Sequence, residues 1–424
     1  MQFKYRKVRI KTKINLGVEM TESRVYVSDD NRGIKLIKLF RFFYIAGWAP
    51  FSVFFPVYLV ERGMSLAQVG IIMAIPVIIG IFTSIMWSSF SDAIGRRKPF
   101  LIQSSILMAL FTFAITLISS FEGFLVLGFF KAIFIPLAEG LIVTSLFRLS
   151  DYGGRATAYS GFAIWGSVGW ASANAFAGVA AWFFGTTAVF YFSSLLFVVA
   201  TIVFLRAPEP REIEEVHKTS TRSSVRPRII MNYFAPIREL LTNKKMVILL
   251  LASLPLFVAI NAASRFFPIY LEYSGASPII IGLAFTFPSI IEIPVFLHAG
   301  KLSDKIGARK PLLIFSAAVY SLFFFLVLLT SNPVLLLLIH SLLTPFAWAP
   351  LITGSSTLVS EIVPRDKWVT GQNLFTIWLW YICGIIGPLI GGFTSEAWGL
   401  PIMFAIASVF AVVSGVFFRG IREK

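Results

Sequence analysis

Twelve stretches of about twenty mostly apolar residues run through this chain of 424 residues, at roughly 36–60, 67–90, 99–119, 122–148, 156–184, 186–206, 246–272, 279–300, 310–330, 333–360, 367–395 and 399–419. A helix needs that length to cross a bilayer. The expected fold is therefore an all-α membrane protein with twelve transmembrane helices. Only 14% of the residues are charged, against about 25% in a soluble domain. That excludes a soluble enzyme and a disordered chain. The one cysteine, Cys383, excludes an intrachain disulfide.

The cations orient the spans. Lys and Arg stay on the cytosolic side of membrane proteins. With the N-terminus inside, the segment through Arg41 holds 11 of the 37, the loops at 91–98, 148–155, 206–245, 301–310 and 361–367 hold 3, 2, 9, 4 and 2, and the C-terminal end holds 3. Arg62 falls outside, and Lys131 and Arg265 fall within spans. Both termini are thus expected in the cytosol, with the chain in the plasma membrane. The net charge of +16 is a topology signal and needs no nucleic acid. Residues 1–35 lack the apolar run and cleavage site of a signal peptide. They read as a partly disordered basic tail suited to anionic lipid. Residues 36–206 read as a first bundle of six spans, 207–245 as a cytosolic central loop, 246–419 as a second bundle and 420–424 as a cytosolic end.

The two bundles repeat one another. At a shift of 212 residues, segment 55–102 matches 267–314 without a gap, with 20 identities in 48 positions. FPVYL (55–59) meets FPIYL (267–271), Gly70 meets Gly282, Pro76 meets Pro288, and SDAIGRRKP (91–99) meets SDKIGARKP (303–311). DYGGR (151–155) and EIVPR (361–365) share the pattern acid-x-x-x-Arg where spans 4 and 10 end. Six spans per half give the halves the same orientation, so the repeats are parallel.

The two loop segments resemble the signature of the major facilitator superfamily, G-x-x-x-D-[RK]-x-G-[RK]-[RK], in its loop 2–3 and loop 8–9 copies. The second copy is complete, with Gly300, Asp304, Lys305, Gly307 and Arg309; in the first, Ser88 stands for the opening Gly and Ala93 follows Asp92. The resemblance implies two six-helix bundles that rock about a mid-membrane substrate site. It also implies that Asp92, Gly95, Arg96 and Arg97 form a gating network with Asp151 and Arg155, mirrored by Asp304, Gly307, Arg309, Glu361 and Arg365. Plain turn chemistry and positive-inside charge are the bland alternative. GIIGPLIGG (384–392) in span 11 resembles an element that marks proton antiporters when it lies in span 5, where this chain lacks it. Small residues for helix contact are its simpler reading.

Ionisable groups within spans are functional candidates by default. They are Lys131 and Glu139 in span 4, Arg265 in span 7, Glu292 in span 8 and His340 in span 10. Lys131 and His340 are repeat equivalents, because IPLAEG (135–140) aligns with TPFAWA (344–349) at a shift of 209. By the resemblance, spans 1, 4, 7 and 10 line the cavity, which adds Trp48 and Trp348 as candidate solute contacts, and Asn261 and Asn373 are candidate hydrogen-bonding groups beside them. Lys131 and Arg265 would hold an anionic or polar group, and Glu139 or Glu292 would carry a proton. Snorkelling of the two cations, structural pairing of the acids and core packing of His340 stay open.

No phosphate-binding loop, metal-ligand spacing or catalytic triad is present in the sequence. The expected function is thus secondary transport of a small organic solute, drug-like, sugar-like or anionic, coupled to protons. It would require no cofactor or metal and would be carried out by a monomer that is not an enzyme. The rival is a transporter-like receptor or lipid-handling protein that does not cycle.

Overall fold

A computed structural model describes residues 6–9, 24–27, 31–94, 96–135, 155–207, 239–364 and 367–421. Twelve long helices follow in order among them. They are α1 (Asn31–Glu61), α2 (Leu66–Ile94), α3 (Lys98–Ile115), α4 (Phe121–Phe134), α5 (Arg155–Phe184), α6 (Thr187–Leu205), α7 (Lys244–Tyr273), α8 (Pro278–Ile306), α9 (Lys310–Leu328), α10 (Pro333–Ile362), α11 and α12 (Leu400–Arg419). Helix α11 has three parts, Trp368–Ile377, a π-helical turn Trp378–Ile382, and Cys383–Trp398. Ten of the described helices are long and apolar enough to cross a membrane. The two others are α4, described over 14 residues, and α5, which is rich in Gly, Ser and Ala.

Local chemistry sets the ends. Ser65 and Gln68 cap α2 reciprocally, at 3.0 and 3.3 Å. Asn243 and Asn332 cap α7 and α10. Gly307 ends α8 with φ of 68°, the left-handed conformation that glycine adopts without strain. Two differences from the sequence reading stand out. Helix α1 starts at Asn31, five residues before the expected span, so Arg41, which the charge count grouped with the N-terminal cations, lies ten residues inside a helix, about 15 Å from its start. The tail itself carries an antiparallel pair of strands, β1 (Arg6–Arg9) and β2 (Arg24–Val27), with Val8 opposite Val25. Its β-branched residues suit that pairing.

The start of α1, the end of α6, the start of α7 and the end of α12 lie at one end of the bundle, here the terminal side, and the short links α1–α2 and α7–α8 lie at the far side. On the far side the halves meet backbone to backbone. A Cβ on Gly70 of α2 would lie 2.4 Å from the Pro388 carbonyl of α11, and one on Gly282 of α8 would lie 2.4 Å from the Asn174 carbonyl of α5. Gly392 and Gly178 face those two glycines from the other half. Bonds between the halves reinforce the seam. Thr286 donates to the Ala171 carbonyl at 2.9 Å, and the Leu66 N–H donates to Glu396 at 2.9 Å. Toward the terminal side α11 leaves α2. Segment Cys383–Trp398 packs along α2, whereas Trp368–Ile377 packs on α10.

Replacing Gly282 by Leu should hold the far side apart. Spin labels at Ser119→Cys and Ser331→Cys, exposed on far-side links of the two halves, should report a longer distance in Gly282→Leu than in its parent. An unchanged distance would contradict the seam.

Candidate functional site

A cavity of about 560 Å³ lies between the halves at mid-depth. The first half contributes Arg41 and Ile45 from α1 and Gly166, Ser167 and Trp170 from α5; the second contributes residues of α7 to α11, among them Phe267, Glu292, Tyr320, His340, Trp348 and Trp380. Phe, Trp and Tyr rings supply much of its wall, beside Arg41, Glu292, His340, three serines and Thr344. Glu292 is half-buried and makes no hydrogen bond or ion pair among the described residues. His340 is bound by Nδ1 to the Ala284 carbonyl at 2.8 Å and stacks on Phe267 at 4.6 Å. Trp348 and Trp380 lie 5.9 Å apart.

Arg41 reaches the cavity because Gly166 leaves room for it; a Cβ there would meet the guanidinium at 2.7 Å. Counting cations by loop hid this residue. The signal was its spacing, since Arg41, Ile45 and Trp48 share a helix face at i, i+4 and i+7.

Trp380 reaches it through the π-helical turn, a feature often found at functional sites. That turn frees the Leu379 carbonyl, which accepts from Asn261 Nδ2 at 3.1 Å; the same nitrogen donates to the Phe257 carbonyl at 2.8 Å. Asn261 is only 2% exposed, so the structure makes it a clamp between α7 and α11 and not a cavity contact, contrary to the sequence reading. Asn373 is exposed on the terminal-side part of α11, off the cavity wall. In GIIGPLIGG, Gly387 and Gly391 press on Asn261 and Phe266 of α7, while Pro388 and Gly392 meet α2. The element serves helix contact.

Trp48 lies beneath Lys131, whose Nζ is 4.5 Å from the Trp48 ring and 5.3 and 5.5 Å from Phe51 and Phe111. Arg265 is half-buried, and its Nε has no hydrogen-bond partner. Neither cation lines the cavity. Glu139, Asp151, Gly95 and Arg365 lie outside the described residues, as do the side chains of Asp92, Arg155 and Asp304.

At the terminal side, each motif copy folds around an arginine. Arg309 donates to Glu361 of α10 at 3.0 Å, to Ser303 Oγ at 2.7 Å and to the Ser303 carbonyl. One side chain thus ties the end of α8 to α9 and α10. In the first copy Arg97 donates to Ser91 Oγ at 2.7 Å, and Ser91 donates to the Arg96 carbonyl at 2.9 Å. Arg96 itself is exposed. Ser91 and Ser303 were missed as arginine partners, although the matched stretches 91–99 and 303–311 both begin with them.

Two helical halves closed on one side around a mid-depth cavity are the build of a membrane transporter. Residues 34–406 match the profile described as the MFS_1 like family, and the chain belongs to that family. Maltose permease of Geobacillus stearothermophilus is 25% identical over 388 residues, covering 88% of this chain and 92% of that protein. The multi-drug resistance efflux pump PmrA of Streptococcus pneumoniae serotype 4 is 23% identical over 381 residues, covering 86% and 89%. The crystal structure of nucleoside transporter NupG shares the fold, with a TM-score of 0.76 and 18% identity over 92% of this chain and 100% of that one. The chain is a multi-pass membrane transporter of the major-facilitator kind.

Replacing Asn261 by Leu leaves the Leu379 carbonyl without its donor. The variant should lose about 1 kcal/mol, the usual scale for a hydrogen bond between membrane helices, seen as a lower Tm in detergent. An unchanged Tm would contradict the clamp.

Proposed function

We propose that the protein is a secondary active transporter, moving a small organic solute across the cytoplasmic membrane by alternating access coupled to protons. The carrying observation is the mid-depth cavity of about 560 Å³, within the range of about 300–1,000 Å³ typical of small-molecule sites. Relatives named as a maltose permease and as a multi-drug efflux pump support a small organic solute and leave uptake or export open. The positive-inside count assigns the terminal side to the cytosol. On that reading the far-side seam is the closed outer gate, and the molecule faces inward. Residues 36–206 and 246–419 are the rocking bundles, 207–245 is their cytosolic link, and the protein works as a monomer without a cofactor.

In this reading Glu292 carries the coupling proton. It lines the cavity with no ion pair or hydrogen bond among the described residues, and taking up a proton neutralises its charge. His340, Trp348 and Trp380 contact the solute. The two arginine-centred corners act with Asp92 and Asp304 as the inner gate. Arg309 and Glu361 join three helix ends whose relative positions must change when the inner side closes, and such a pair biases a two-state equilibrium.

Purified protein in liposomes tests this. Glu292→Gln should abolish proton-driven accumulation of the solute while exchange of labelled for unlabelled solute persists. Asp304→Asn should slow both by about tenfold, a usual scale for coupling between conformational states, with Tm unchanged. A receptor that does not cycle would bind solute and exchange none.

A further inference from the structure

Strands β1 and β2 pair in a register that sorts the charges of the N-terminal tail. Arg6 stands opposite Val27, Lys7 opposite Tyr26, Val8 opposite Val25 and Arg9 opposite Arg24. Residues opposed in an antiparallel pair share a face, and successive residues alternate between faces. One face of the ribbon therefore carries Lys7, Arg9, Arg24 and Tyr26, and the other carries Arg6, Val8, Val25 and Val27. Four of these eight residues are cations and none is acidic, whereas the fourteen residues that join the strands hold two cations and two acids. The net positive charge thus sits on the strands.

Such a ribbon is not self-sufficient in water. Two strands alone are marginally stable there. Like charges directly opposite, as at Arg9 and Arg24, weaken the pair further. The ribbon calls for surroundings that are apolar toward one face and anionic toward the other, and the interface of a charged leaflet supplies both. The chain brings one within reach. Three residues separate Val27 from Asn31, the start of α1, a gap of at most about 15 Å. The apolar stretch of α1 begins five residues later, about 8 Å along the helix. Arg32 and Lys35 are exposed on those first turns. The charge count puts this end of the bundle in the cytosol, and the cytosolic leaflet is the anionic one.

We propose that β1 and β2 form an amphipathic ribbon that lies in the interface of the cytosolic leaflet and binds anionic lipid. Val8, Val25 and Val27 occupy the acyl boundary. Lys7, Arg9 and Arg24 lie at the level of the phosphates, and a lipid phosphate shared by the two opposed arginines turns their repulsion into a bridge. Tyr26 stands on the same face, and tyrosine is enriched at membrane interfaces. Arg6, the one cation on the valine face, belongs to the terminal pair of the ribbon, from which a long side chain reaches the headgroups. The ribbon anchors the start of α1 to the leaflet, whatever the solute and whatever drives its transport.

A depth scan of the full chain tests this. With Cys383→Ser as background, one spin label at a time is placed at Val25→Cys, Tyr26→Cys and Val27→Cys, none of which removes a charge. The protein is reconstituted in vesicles of phosphatidylcholine mixed with phosphatidylglycerol, and in vesicles of phosphatidylcholine alone. In the mixed vesicles the labels at residues 25 and 27 should be open to oxygen, which partitions into the acyl region, and shielded from a water-borne nickel complex. The label at residue 26 between them should show the reverse. In phosphatidylcholine alone all three should face water. Combining Arg9→Gln with Arg24→Gln should lower the ratio of membrane-bound to free label at residue 25 about thirtyfold, at about 1 kcal/mol for each cation near an anionic surface, and high salt should act in the same direction. Equal depth at the three positions, which a flexible basic tail would give, overturns the ribbon. Labels that face water in both kinds of vesicle, or that are shielded equally in both, overturn the anionic lipid as partner. Labels immobilised by a short RNA duplex and indifferent to phosphatidylglycerol would overturn it too, and assign the cationic face to nucleic acid.

Discussion

Two helix backbones can touch only where neither carries a side chain, and this molecule's architecture depends on two such places. Gly70 and Gly392 join α2 to α11, and Gly178 and Gly282 join α5 to α8. Lipid tails are as apolar as leucine, so apolar surface alone does not drive membrane helices together; close packing must. The glycines concentrate that packing at one end of the bundle. The halves therefore meet on the far side, α11 leaves α2 toward the terminal side, and the cavity lies at mid-depth. Gly70 and Gly282 are also the same position in the two repeats, so one repeat position supplies both contacts.

The terminal side is organised by charge. Arg97 and Arg309 are repeat equivalents, and each turns back on the serine that opens its motif copy. The Arg309–Glu361 pair is part-exposed, with the acid side chain at 43%. Exposed pairs contribute about 1 kcal/mol or less to stability. A contact that weak suits a joint that breaks and reforms better than a fixed brace. The far side holds by steric fit and the terminal side by a modest ionic tie, which gives the two ends different means of opening.

Much of this was legible in the chain. The length of the apolar runs gave the helices, because a bilayer permits little else. The ungapped repeat gave the two halves and the corresponding glycines. What the sequence left out depended on neighbours distant in the chain. Nothing local marks Trp378–Ile382 as a π-helical turn; Asn261, 118 residues away, stabilises it. The same distance effect turned Asn261 from a cavity residue into a clamp. Arg41 was hidden by the charge count, which grouped it with the N-terminal cations although it lies within the first span. Ser91 and Ser303 look like ordinary helix residues until the arginine six positions on folds back to them.

The central claim is that one mid-depth cavity is reached from each side in turn. Its most direct test is labelling of a cysteine placed at Ser289, on the cavity wall, by a membrane-impermeant maleimide applied to either face of oriented vesicles, with the buried Cys383 replaced by Ser. The account predicts labelling from both faces, with any condition that speeds one slowing the other. Labelling confined to one face under every condition, or rates from both faces that rise together, would contradict it.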